Sequence, residues 1–357
     1  MLEQHTMLWA FVTACAALFA LPFVPAIREW RRPTDSVALP VPPHDAADID
    51  HFARRLHADA QSRLGRGSPT GYESFDLIAP DAAAGIWSNA RARLLACGDV
   101  STAAPILAFQ AVYVDGGMKA GAGSAFASLY VARDLELGEG SKVADWAHAE
   151  GDLRMGRGST ALRRVSAGGV VRLAAPCWFE RVHAPVVRLG GAGGPPQGRV
   201  PHGAPVPAQA VPVTQQEASY GTLPHAVERT ALLYMVRGDC TLPERSIYRG
   251  SLVVTGFLTI GAFTTVIGDI KARGGVTVGE GAVVQGAITC EQSVYLLPGV
   301  LALGPVVCEG DVLLGTGTVV GLADALTTVS GRCIVAEEGA VVHGTLWAHE
   351  IGMVKHA

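Results

Sequence analysis

Charge is scarce in this sequence: Asp, Glu, Lys and Arg together make 17% of its 357 residues, and aromatic residues make 6%. Asparagine occurs once, at Asn89. A formal charge of −4 at pH 7 gives no basic face, which excludes nucleic acid as a natural partner. The seven cysteines (Cys15, Cys97, Cys177, Cys240, Cys290, Cys308 and Cys333) contain no CxxC pair, and their odd number does not read as a disulfide framework. They read as small buried hydrophobes in a reducing compartment. Missing too are the GxxxxGK(S/T), HExxH and GxSxG patterns and any paired-cysteine zinc motif. Strings such as Gly121-Ala-Gly123 and Gly315-Thr-Gly317 complete no phosphate-binding fingerprint before a helix and read as tight corners. No cofactor or metal is expected.

Glycine, by contrast, is abundant (43 residues). With few aromatics and little charge, that composition suits a regular β architecture with many corners. The expected class is all-β: two tandem parallel β-helix modules with coils of about 18 residues, preceded by one transmembrane helix.

The transmembrane expectation rests on Met7 to Ile27, an uncharged run long enough to cross a bilayer. Trp9 and Trp30 stand near its ends, where amphipathic rings favour the interface. Glu3 and His5 precede it, and Arg28, Arg31 and Arg32 follow. Positive charge resists translocation, so the body is expected on the cytoplasmic face of a bacterial inner membrane, tethered by a single pass. A cleaved signal peptide ending near Val24-Pro25-Ala26 is the competing reading, but MLEQHT lacks its basic leader.

Residues 1–32 are thus assigned to the anchor and 33–96 to a spacer with a capping helix. The spacer, Arg32 to Pro43, is stiffened by proline. In the helix, Asp45 to Leu64, the residues Ile49, Phe52, Leu56, Ala60 and Leu64 recur at helical spacing, a stripe expected to dock on the body. Asp45 or Asp48 would start it and Gly65 would end it. Residues 190–228, rich in Gly and Pro, read as a linker between modules at 97–189 and 229–357.

The repeat carries the fold. Leu258-Thr-Ile260, Val276-Thr-Val278, Val294-Tyr-Leu296 and Val312-Leu-Leu314 recur at one constant interval, and Gly250, Gly268, Gly286 and Gly304 share it. Each such coil divides by six. Ile260, Val266, Ala272, Val278, Val284, Cys290 and their successors to Leu326 form one apolar column, and Leu258, Thr264, Ile270 and their successors to Val312 form another. Residues i and i+2 of a strand point the same way, and a six-residue step opens the next flat face, so three faces close a triangular coil. An insertion around Ala323 to Arg332 delays the last copy at Ile334. The first block repeats the theme at Met118, Leu135, Leu153 and Val171, with a column from Leu137 to Phe179, and both blocks open on Gly-Asp (Gly98-Asp99 and Gly238-Asp239).

The stretch Val276 to Ser293 (VTVGEGAVVQGAITCEQS) resembles the bactofilins, a polymer-forming bacterial cytoskeletal family, and Leu135 to Val143 (LELGEGSKV) echoes it. The resemblance covers Asp239 to about Leu346, and more weakly Gly98 to Leu189. It implies a filament former that needs no nucleotide, associates through solenoid ends and binds the inner face of the membrane. Duplication, a full membrane-spanning segment and a long internal linker depart from that family's pattern.

Two functional readings follow. The first is a membrane-anchored, self-associating scaffold that recruits envelope-building or cell-shape proteins, as a homo-oligomer or polymer. Its final coil would present an open strand edge, with Val341, Val342 and Leu346 as the self-association surface. The second is a hexapeptide-type acyltransferase acting on an envelope-related substrate, in which a histidine on a coil is the general base. His148, His183 and His343 are the candidates; Asp145 and Glu150 flank His148. Each of the three fits better as an exposed corner or wall residue, and none has a clear carboxylate or hydroxyl partner by spacing. Cys290 and Cys308, one coil apart, should stack as core neighbours or as a redox pair.

Overall fold

The computed structural model describes residues 2–21, 23–24, 49–65, 75–191 and 215–356. The chain divides into two compact units, Met1–Asp48 and Ile49–Ala357.

In the first unit, helix α1 covers Leu2–Ala20, with Trp9, Phe11, Leu18 and Phe19 exposed. No helix among the described residues is long and apolar enough to cross a membrane. The helix begins at Leu2, so its opening turns hold Glu3, Gln4, His5 and Thr6 and dilute the apolar run. The far end of that run, with Arg28, Trp30, Arg31, Arg32 and the Pro-rich spacer, lies outside the described residues.

The second unit is a β-solenoid of about 14 turns of about 18 residues. In the second block, Leu258, Val276, Val294 and Val312 are consecutive partners in parallel strands. Val312 then pairs with Ile334, so the insertion is absorbed at one corner without losing register. Leu326, expected to continue the apolar column, sits in that insertion and is exposed; the column from Ile260 to Val320 is buried throughout. Two rules hold the corners. A Cβ on Gly268, Gly286 or Gly304 would collide with the carbonyl of the glycine one coil earlier, so the backbone can stack there only without a side chain. Aspartates open many coils because their carboxylates accept the backbone N–H of the next one: Asp99 from Gly117 (2.6 Å), Asp152 from Val170 (2.8 Å) and Asp239 from Phe257 (2.8 Å).

The two blocks do not form separate tandem modules. They share one continuous buried core running from Ile78 to Val354. The last strand of the first block, Cys177–Leu189, pairs antiparallel with the last strand of the second, Val341–Lys355. The pairing follows all three faces of the triangle: Cys177 to Phe179 opposite Val354 to Gly352, Arg181 to Ala184 opposite Trp347 to Gly344, and Val187 and Arg188 opposite Val342 and Val341. The blocks therefore meet tail to tail, and the first coil of each faces outward at opposite ends of a stack roughly 65 Å long.

This joint corrects the expected open edge. Val341, Val342 and Leu346 face Arg188, Val187 and Val182, and the edge is already filled from within the chain. It also explains the long Gly/Pro segment: the chain leaves the joint after Leu189 and must return to the far end, where Gln216–Ala218 pairs beside Ser246–Tyr248. Residues 192–214 lie outside the described residues; 215–228, expected as linker, already contain a strand, a short 3-10 turn and the start of a hairpin.

Both ends are plugged. At the first, helix α3 (Ala84–Asn89) packs over Leu107–Ala108 and inserts Trp87 into the core. At the second, Tyr220 stacks on Tyr248 with ring centroids 4.8 Å apart, beneath the Ala226–Thr230 and Leu233–Val236 hairpin. Between α1 and α3 in sequence, helix α2 (His51–Arg63) is the predicted helix, starting after Asp50 and not at Asp45 or Asp48, and Gly65 ends it at φ +71°. It is not an end cap. Its buried face, Ala53, Leu56 and Ala60, lies on the outward-pointing Leu95, Tyr113 and Tyr130 of three successive coils.

Candidate functional site

Beneath and beyond α2, one outward column of the first block is unlike every other. Leu95, Tyr113, Tyr130, His148, Ser166 and His183 are successive partners on adjacent strands. Thr345 continues the column across the joint. Parallel stacking brings identical positions within ring contact, so the tyrosines lie face to face at 4.9 Å and Tyr130 lies over His148 at 5.5 Å. His57 of α2 packs 5.0 Å from Tyr130, while Gln61 donates to the Tyr113 hydroxyl at 2.8 Å.

At His148 the aromatic stack gives way to a polar cluster. Its Nδ1 lies 2.8 Å from Ser166 Oγ and 3.6 Å from Asp50 Oδ1; its Nε2 lies 3.5 Å from Glu150 Oε1. Glu150 also accepts a 2.6 Å hydrogen bond from Tyr130. One step further, His183 Nδ1 meets Thr345 Oγ1 at 2.8 Å. Asp50, the residue before α2, reaches this cluster from the side. Burial pulls its pKa up, but hydrogen bonds with His148 and Ser166 and the charges of His148 and His183 hold it below the usual carboxylate value. Burial pushes His183 down, against the pull of Asp50. Burial and the Glu150 carboxylate push the Tyr130 hydroxyl up, so it stays a donor.

A second column runs two residues away on the same strands: Trp146, Arg164, Arg181 and, across the joint, Trp347. Arg181 stacks on Trp347 at 4.8 Å and Arg164 on Phe52 of α2 at 5.3 Å. Arg181 Nε is buried without a hydrogen-bond partner. Trp347 in turn stacks on His349 at 4.9 Å, and His349 Nε2 lies 2.9 Å from Ser330 Oγ.

Of the histidines singled out by sequence, the structure unites His148 and His183 around Ser166 and Asp50. His343 is elsewhere on the joint, with Nδ1 3.0 Å from the carbonyl of Pro185. Asp145 makes no contact with His148, whereas Glu150 does. Sequence reasoning misses Ser166 and Asp50, although Ser166 stands one coil after His148 and one coil before His183, in direct register with both.

The Ser166–His148 pair with neighbouring carboxylates has the composition of a nucleophilic triad. Its packing differs: Ser166 is 3% exposed and His148 6%. The cluster ties Asp50, at the start of α2, to the coils beneath it. Cys290 and Cys308 are stacked core neighbours, both free thiols. The Cys308 thiol donates toward Cys290 and is buried, which pushes it up, while the same contact pulls Cys290 down. Among the described residues no three His, Cys, Asp or Glu are grouped to hold a metal ion. No family model, curated protein or solved structure matches the chain.

Proposed function

We propose that the protein is a self-associating structural scaffold: a rigid rod held at the inner membrane by its N-terminal segment, body on the cytoplasmic side, that recruits envelope or cell-shape proteins. The observation that carries this reading is the tail-to-tail joint. It turns a duplicated repeat into one rod in which each end is the first coil of a block, closed by a helix at one end and a hairpin at the other. Exposed apolar side chains are present at both ends. Leu77, Ile86, Leu107 and Phe109 lie at one, with Phe109 69% exposed, and Val227 and Leu232 lie at the other. Association is therefore assigned to the outer ends and not to the C-terminal strand. A bactofilin-like polymer is the nearest analogy.

Light scattering and negative-stain microscopy of the full chain in detergent test this. The expected result is concentration-dependent rods in multiples of about 65 Å, reduced to single rods by Phe109→Asp with Leu107→Asp. Monodisperse single rods at every concentration would defeat the reading.

A second reading, acyl transfer on an envelope-related substrate, draws on the 2.8 Å contact between His148 and Ser166. It requires α2 to move aside, and it predicts closed trimers and covalent labelling of Ser166 by an acylating reagent, lost in His148→Ala.

A further inference from the structure

A third column of the first block runs into charges of one sign. Lys119, Glu136, Arg154, Arg172 and Arg188 are successive partners on adjacent strands. The first two form an ion pair at 3.2 Å. The next three are guanidinium groups in direct register, ending at the joint, where Val341 follows. Like charges directly opposite on neighbouring strands repel, so such a run requires an answering charge. The fold supplies one: Asp152 pairs with Arg172 at 2.9 Å. Among the described residues Arg154 and Arg188 have no ion pair and no side-chain hydrogen bond.

The three arginines line a groove of about 190 Å³ together with Ala174, Gly190 and Gly191. The carboxylate nearby, Glu338, is engaged by the Gly191 N–H at 2.7 Å and by His356 at 3.6 Å. Residues 192–214, which lead away from the groove in sequence, contain no Asp or Glu, so that segment cannot bring the missing charge.

We propose that this arginine ladder binds an oligophosphate-type anion, with phosphate groups bridging Arg154, Arg172 and Arg188. The planar guanidinium fork suits bidentate contact with phosphate. The outer pair are two strand steps apart, roughly 10 Å, a span that linked phosphates can bridge and one orthophosphate cannot. A free oligophosphate and a phosphate-bearing lipid headgroup both offer this chemistry. The site is independent of end-to-end association.

The test is calorimetric titration of the full chain at low salt with sodium tripolyphosphate and, separately, orthophosphate. Tripolyphosphate should bind once per chain and at least ten-fold more tightly than orthophosphate. Arg154→Gln with Arg188→Gln should weaken it at least ten-fold, while Arg229→Gln with Arg237→Gln, in the other block, should not. The unliganded Arg154/Arg188 variant should melt above the parent, because a repulsion has been removed; this readout also shows that it folds. Co-sedimentation with phosphatidate vesicles that depends on Arg154 and Arg188 would assign the headgroup source, and its absence beside tripolyphosphate binding the soluble one. Absence of tripolyphosphate binding to the parent, or equal binding by both variants, overturns the proposal.

Discussion

The two blocks share one architecture but use it differently. In the second block the step is constant from Leu258 to Val312, and the strands there are two to four residues long. In the first block the step shortens by one residue between Met118 and Leu135, strands lengthen to seven, eight and nine residues, and register shifts occur near Phe126 and Ala161. Only the first block, among the described residues, carries an outward column of tyrosine, histidine and serine and a helix laid over it. Regularity marks the part that is architecture alone. Departures from it bend strands and re-aim side chains, and they fall on the strands that carry the polar cluster.

The sharpest way to break this comparison is at the joint. Leu346→Asp places an unpaired carboxylate opposite Val182 in the buried core, at an expected cost of about 3–5 kcal/mol. Urea unfolding should then show both blocks lost in a single earlier transition. Two separated transitions in the parent protein would mean that the blocks are stabilised independently. Next in size, Leu56→Ala should cost about 2–4 kcal/mol by opening a cavity under α2. Hydrogen exchange should report the loss in Leu95, Tyr113 and Tyr130 and leave the second block protected; an equal loss in both blocks would erase the distinction drawn here.

Smaller effects probe the polar cluster. Tyr130→Phe removes the hydrogen bond to Glu150 and should cost about 1.5–3 kcal/mol, measured by denaturant titration at pH 7. The smallest is the pH response of His183. Its folded pKa is depressed by burial, so the unfolded chain takes up the proton more readily. The stability tied to its neutral form is complete above the ordinary value of 6.5 and shrinks as pH falls below it, by at most about 1.4 kcal/mol per pH unit. His183→Gln should flatten that slope between pH 6.5 and 5. An unchanged slope would place the sensitivity in another group.

The coils were legible in the sequence because inward positions repeat by six and the corners demand glycine. The column from Leu137 to Phe179 and that from Ile260 to Val320 could be written down from spacing alone, and both are buried. The joint was not legible. Cys177–Leu189 and Val341–Lys355 pair antiparallel with the whole second block between them in sequence, and periodicity holds no record of which rung meets which. Helix α2 was legible as a helix that buries one stripe on the body, but its partners were not, because Tyr113 and Tyr130 point away from the columns that define the repeat. The cluster was half visible. His148 and His183 drew notice as histidines, yet the single-coil intervals linking Tyr113, Tyr130, His148, Ser166 and His183 were the better signal. Asp50 arrives from another element, and no interval predicts it.

The tail-to-tail joint also imposes an order on synthesis. When Leu189 has left the ribosome, the first block has all its strands, but its last rung has no neighbour until Val341–Lys355 is made. At about 5–20 residues per second, the intervening segment takes roughly 8–30 s. For that interval the nascent chain displays three unpaired strand edges around a finished core, a template for any other half-made copy. The final strand is thus the closing step of folding as well as the middle of the rod. A ribosome that stops short of it releases a chain with an adhesive end.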